Sequence, residues 1–319
     1  MRVFWFGMDD GGACVLHWHE LRQHLAEHHG VELFGPGYSW APGQKHVLLS
    51  QILARHGTPD WIVLDDANAR GYVPMAWDVA PKCRIAWREH DWHNGHRIQV
   101  AMKIKPDLIL GTTERVLGEN PPKHGDPMRK HSGWRLVPHP VNTERFHLPG
   151  KKEEIDRLFR LGFYGMVNKA YPARLAAMPV IRARQIERQD VWMPPHGGYW
   201  RDGRGSSAKT RYNDELAEEL RHVSCLWVSG GQGKEAVLKY FEGGASGCFL
   251  IGEKPAGWDK LFSVSAFIEC PPEEINAVVD GLKPAVREEA ARVMFDQIER
   301  YHSIPARAFQ IMGLLEEAA

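Results

Sequence analysis

The sequence predicts an α/β protein made of two parallel-sheet domains. Three observations carry that prediction. The chain has 319 residues, long for one core and suited to two domains of about 150 residues each. Short apolar runs that read as strands alternate with helical patterns along its length. A polar break at Pro149, Gly150, Lys151 and Lys152 separates the alternation into two series.

In the first series, residues 2–7 form a buried-strand pattern closed by Asp9, Asp10, Gly11 and Gly12. A helix follows with Trp18, Leu21 and Leu25 on one face, ending near Gly30. Residues 31–34 read as the next strand, 46–56 as a helix, and 61–64, 84–87, 108–110 and 134–137 as further strands. In the second series, strands are expected at 161–164, 191–193, 223–228, 248–251 and 267–269. Helices are expected at 211–221, from Lys234 onward, and at 273–282, 285–301 and 306–317. Strand, helix, strand in this rhythm implies parallel sheets with helices on both faces. Two such halves suggest Rossmann-like domains facing a central cleft, with ligands at the carboxyl ends of the strands.

Composition narrows the classes. Forty basic residues balance 40 acidic ones, so no whole-chain field draws the protein to duplex DNA or an anionic membrane. A nucleic-acid base as partner stays open but is not favoured by that balance. No run approaches the roughly 18 apolar residues of a membrane span. The opening MRVFWFGMDDGG lacks the features of a secretory signal. Cys14, Cys83, Cys225, Cys248 and Cys270 are odd in number, widely spaced and without a CxxC pair, so a reducing, cytoplasmic setting is expected.

Several segments, taken together, resemble the GT-B glycosyltransferases. Residues 223–251 (VSCLWVSGGQGKEAVLKYFEGGASGCFLI) are similar to the nucleotide-sugar site of that family: a strand, a glycine-rich turn, a helix carrying a Glu, and a small-residue turn into an apolar strand. Residues 136–149 (LVPHPVNTERFHLP) resemble its inter-domain segment, and 161–175 (LGFYGMVNKAYPARL) its first donor-domain strand and loop. The tail, FIECPPEEINAVVDGL and YHSIPARAFQIM, is similar to the CgeB (spore-maturation-type) branch of group 1 glycosyltransferases. The resemblance implies an acceptor-side domain over 1–149, a nucleotide-sugar-binding domain over 150–305, and a helix over 306–319 that crosses back to the first domain.

It also implies a donor site. Gly230, Gly231 and Gly233 lie between a strand and a helix start, where backbone N–H groups can approach a diphosphate; an ordinary strand-to-helix turn has the same composition. Glu242 matches the family Glu that accepts the two ribose hydroxyls. Many relatives carry a second Glu eight positions earlier, where this chain has Lys234 beside Glu235; that leaves the transferred sugar and the stereochemistry open. Lys169 and Arg174 follow the Gly165 turn, where the family places cations that stabilise the departing diphosphate; Lys209, Arg211 and Lys239 rank second. On the acceptor side the resemblance points to Asp9, Asp10, Gly11 and Gly12, to His90 or Asp91 as the group that activates a hydroxyl, and to His139. A plain polar loop explains Glu89-His90-Asp91 as readily.

Other motifs fail. His19-Glu20 has its next His at 24, five positions on, where a zinc-protease helix needs four. Gly233-Lys234 is followed by Glu235, which rules out a phosphate-binding P-loop. There is no GxSxG elbow, and no GxGxxG after the first strand. The expected activity is metal-independent, hexosyltransferase-like transfer from a nucleotide sugar, a UDP-sugar first, to a glycan, protein, metabolite or modified base. No resident cofactor is expected, since the nucleotide sugar is a co-substrate. A non-catalytic relative that binds a sugar nucleotide or glycan is the alternative, and a Rossmann-type oxidoreductase the third reading.

Overall fold

The computed structural model describes residues 1–7, 16–35, 38, 47–65, 75–76, 79–89, 101, 103–112, 131–150, 157–169, 171–194, 213–231, 234–263 and 266–319. In chain order these form β1 (Val3–Phe6), α1 (Leu16–His29), β2 (Glu32–Phe34), β3 (Val47–Leu48), α2 (Leu49–His56), β4 (Trp61–Asp65), β5 (Met75–Ala76), β6 (Arg84–Glu89), β7 (Leu108–Gly111) and β8 (Trp134–Leu136). Then come β9 (Phe159–Gly162), α3 (Pro172–Arg188), β10 (Val191–Trp192), α4 (Asn213–Arg221), β11 (Val223–Val228), α5 (Leu238–Ala245), β12 (Phe249–Gly252) and α6 (Trp258–Leu261). The last elements are β13 (Phe267–Glu269), α7 (Ile275–Gly281), α8 (Pro284–His302) and α9 (Ile304–Glu317). The chain divides into two compact units, Met1–Pro138 with Ile304–Ala319, and His139–Ser303. The sequence reading put the divisions at 149/150 and 305/306.

In the first unit the strands run in the order β2-β1-β4-β6-β7-β8, all parallel. Strand side chains alternate between faces, and here both faces are buried. Val3, Trp5, Trp61, Val63, Ala86, Leu108 and Leu110 point to one core, while Phe4, Phe6, Ile62, Leu64, Trp87 and Ile109 point to the other. This is why the strands read as continuous apolar runs rather than alternating ones. Trp18, Leu21 and Leu25 of α1 cover the first face, and Leu49 and Ile52 of α2 cover the second. The C-terminal helix belongs to this unit. Ile304, Ala308, Ile311 and Leu315, spaced by three or four residues, share one helix face and enter the same core as α1. The last turns of the chain thus return to the domain in which it began.

The second unit has the parallel order β10-β9-β11-β12-β13. Leu161, Cys225, Trp227, Phe249 and Ile251 face a core completed by Ala177 and Ile181 of α3 and Ile275 and Val279 of α7. On the opposite face, α5 packs closely against the sheet at Gly243 and against α8 at Gly244. A Cβ at Gly243 would press on Leu226 and Leu250, and one at Gly244 would come 2.6 Å from Ile298 and 2.8 Å from Met294 of α8.

Some expectations are corrected. Residues 46–56 are not one helix: β3 precedes α2. The sequence reading assigned no helix to α3, whose interior Pro179 interrupts the pattern. The helix expected from Lys234 starts at Leu238, because Lys234 takes a left-handed backbone (φ 52°) that a right-handed helix cannot include. Glu89 is the buried last residue of β6 rather than part of the loop after it.

Candidate donor site

The strand order of the second unit changes direction between β9 and β11, and open parallel sheets leave their ligand crevice at such a switch. Beyond the carboxyl ends of these strands lie Tyr164 and Gly165 after β9, Ser229, Gly230 and Gly231 after β11, and Glu253 after β12. The N-cap residue of α5 is Val237, which makes no side-chain cap. Lys239 lies in its first turn and Glu242 one turn on, at i and i+3, so both side chains project from the same face.

Glu242 is 8% exposed, and the Tyr164 hydroxyl donates to its Oε2 at 2.8 Å. Burial raises the Glu242 carboxyl above the ordinary value, opposed by that hydrogen bond and by the charges of Lys239 and Arg145. Burial, with the adjacent Glu242, also raises the Tyr164 phenol well above its ordinary value. The Lys239 ammonium stands 4.8 Å from the centre of the Tyr164 ring, and the Trp192 ring centre lies 5.6 Å from it. Gly165 has φ 105°, a conformation reserved for glycine; a Cβ there would collide with the end of the Lys239 side chain and come 3.3 Å from Arg174 Nη1.

Arg174 is 2% exposed and ties two turns together. Its Nη2 donates to the Ser229 carbonyl at 2.7 Å, its Nη1 to the Met166 carbonyl at 3.3 Å, and its guanidinium covers the Tyr171 ring at 4.1 Å. Lys169 is exposed on the loop between them. Of the candidate cations among the described residues, Arg174 and Lys239 therefore meet at Gly165, and Lys239 is the one beside Glu242. Gly230 and Gly231 are buried in the turn after β11, and the Gly230 backbone N–H acts on both the Glu253 carboxylate and the Tyr240 hydroxyl. Glu253 is raised by burial, and Lys234 approaches it at 4.0 Å. His139 is the half-buried first residue of the second unit. Asp9, Asp10, Gly11, Gly12, His90, Asp91, Lys209, Arg211 and Gly233 lie outside the described residues.

The first unit contains a charged cluster that sequence reasoning missed. Asp65 ends β4, at the switch between β1 and β4. Its Oδ2 accepts from Arg22 Nη1 at 2.6 Å and from Trp5 Nε1 at 3.4 Å; its Oδ1 accepts from Arg88 Nε at 2.7 Å. The three side chains are at most 2% exposed, and the Arg88 guanidinium lies 4.1 Å over the Trp18 ring. The sequence signal was slight: Asp65 and Arg88 each follow an apolar run, and Arg22 is one charge on a helix. Tyr164 gave no more, as one aromatic among apolar neighbours.

No protein-family model matches the chain, and no curated protein matches it in sequence. Among solved structures it is similar to sucrose-phosphate synthase from Thermosynechococcus elongatus, with 13% identity, 99% of this chain and 98% of that one covered, and a TM-score of 0.61. It is similar to HepE of Anabaena, solved with UDP and glucose, at 10% identity, 99% and 100% coverage and a TM-score of 0.59. A glycosyltransferase from Rickettsia africae matches at 9% identity, 99% and 98% coverage and a TM-score of 0.61. The chain has the GT-B fold. The match runs through both units, so the return of α9 to the first unit is part of the GT-B architecture here. Among the described residues, no helix is long and apolar enough to cross a membrane.

Proposed function

We propose that this GT-B protein is a glycosyltransferase that moves a sugar from a nucleotide sugar to a hydroxyl acceptor, with the donor held by the second unit. The observation that carries the reading is the convergence of Glu242, Lys239, the uncapped start of α5 and the Gly165 turn at the switch between β9 and β11. In chemical terms these are a carboxylate for a ribose diol, and a cation and helix N-terminus for a diphosphate. The structural relative HepE was solved with UDP and with UDP-glucose, which supports a UDP-sugar as the first donor to try. The tail motifs favour the CgeB-like branch within the glycosyltransferases.

As the sugar–phosphate bond breaks, negative charge grows on the leaving diphosphate. Lys239 and the α5 dipole stabilise it without a resident metal, while Arg174 holds the two flanking turns in register. The first unit carries the acceptor, and His90 or Asp91 takes the hydroxyl proton. The acceptor is a glycan, protein, small metabolite or modified base. One observation favours a second reading, a binding protein without turnover: Lys234, at the position of the family's first Glu, leans toward Glu253.

The test is a thermal-stabilisation screen with UDP-, GDP- and ADP-sugars, followed by nucleotide release in the presence of a chelator. A donor at a hundred times its dissociation constant should add about 2.7 kcal/mol. Stabilisation with chelator-resistant release supports transfer, and stabilisation without any release supports the binding protein. If no nucleotide sugar stabilises the chain, the donor site is wrong.

A further inference from the structure

One side chain touches both charged groups of the donor site. Tyr164 follows β9, and its hydroxyl and ring have separate partners on α5. The hydroxyl donates to Glu242 Oε2 at 2.8 Å, and the ring face lies 4.8 Å from the Lys239 ammonium. Trp192 lies 5.6 Å from the ring, centre to centre, and is itself fixed by its Nε1, which donates to Glu219 Oε2 at 3.0 Å. Gly165, next in the chain, has no Cβ, and that leaves the space in which the Lys239 side chain reaches the ring.

We propose that Tyr164 is the positioning residue of this site, its hydroxyl orienting Glu242 toward a ribose diol and its ring holding Lys239 toward a diphosphate. The inference rests on the donor-site reading above. A carboxylate has two oxygens, and a buried one can rotate. With Oε2 occupied by a phenol, the plane of the group is set and Oε1 becomes the oxygen offered to the ligand. A lysine ammonium is a point charge on a flexible stem, and an aromatic face restricts where it rests. Tyr164 thus pre-organises two recognition elements before the ligand arrives, which lowers the ordering cost of binding. The groups facing Glu242 are Tyr164 from the β9 side, Lys239 on its own helix and Arg145; Arg174 and Cys248 act on Tyr164.

Because hydroxyl and ring have different partners, they can be separated. Tyr164→Phe keeps the ring and removes the hydroxyl, whereas Tyr164→Leu removes both. Affinities are measured by calorimetry on the full chain, for whichever of UDP, GDP and ADP binds wild type most tightly, and for that nucleotide lacking its 2′ and 3′ hydroxyls. Tyr164→Phe should weaken the complete nucleotide about tenfold, the worth of one charge-assisted hydrogen bond, and leave the dideoxy form unchanged. Tyr164→Leu should also weaken the dideoxy form, by about threefold, through the loss of the Lys239 contact. In a Glu242→Ala background the Phe substitution should have little further effect. Equal losses on both nucleotides in Tyr164→Phe would mean a merely structural role and overturn the proposal, as would no loss on either. If Leu and Phe behave alike on the dideoxy form, the ring does not hold Lys239, which overturns that half. Failure of all three nucleotides to bind wild type overturns the donor-site reading itself, and the proposal with it.

Discussion

Replacing Glu242 with Gln should weaken donor binding and strengthen the fold, in a direction that pH reveals. The side chain is 8% exposed, and burial is the largest cause of its raised pKa. The unfolded carboxyl ionises near its ordinary value of 4.5, while the folded one holds its proton to higher pH. Above 4.5 the folded state therefore binds more protons than the unfolded state, so this group makes stability fall as pH rises. The fall ends once pH passes the folded pKa, and the slope from one group is at most about 1.4 kcal/mol per pH unit. Gln has no charge to desolvate. Its stability relative to wild type should thus rise through the same window and stay higher at pH 8. Binding moves the other way. A hydrogen bond to a charged group is worth about 1.5–3 kcal/mol and one between neutral groups about 0.5–1.5, so the donor should bind about tenfold more weakly. Urea unfolding at pH 4, 6 and 8 measures the first effect, and calorimetric titration with the nucleotide the second. A stability difference that is flat across the three pH values would show that burial does not strain Glu242. Unchanged donor affinity would remove Glu242 from the site.

Two further perturbations test the surroundings. Gly165→Ala forces a side chain onto a φ 105° backbone and against Lys239; it should cost about 1–3 kcal/mol in urea unfolding, together with diphosphate affinity, and wild-type behaviour in both would mean that the turn relaxes freely. In the first unit, Asp65→Ala leaves the buried guanidiniums of Arg22 and Arg88 without their shared carboxylate and should cost about 3–5 kcal/mol, read as a lower denaturation midpoint. A loss below about 1 kcal/mol would show that the cluster rearranges or hydrates when the carboxylate is removed.

The sequence by itself determined the class of fold. Runs such as 61–65 and 223–228 are apolar on both faces, and only strands at the centre of a covered parallel sheet have that need. The resemblance implied that the helix from 306 returns to the first domain, and Ile304, Ala308, Ile311 and Leu315 do enter that core. The glycines after Glu242 imply close packing, and Gly243 and Gly244 do lie against Leu226, Leu250, Ile298 and Met294. What only the tertiary structure decided is which charges meet. On paper Lys169 ranks ahead of Lys239 as a cation for the diphosphate. Lys239 stands at the site because α5 brings it over a tyrosine 75 positions earlier in the chain, across a turn that only glycine allows. Arg22, Asp65 and Arg88 are ordinary charged residues in sequence; they become a buried cluster because β4, β6 and α1 converge at one edge. Helix and strand periods are local properties of the chain and can be read one segment at a time. The partner of a buried charge is set by long-range packing, and no local pattern records it.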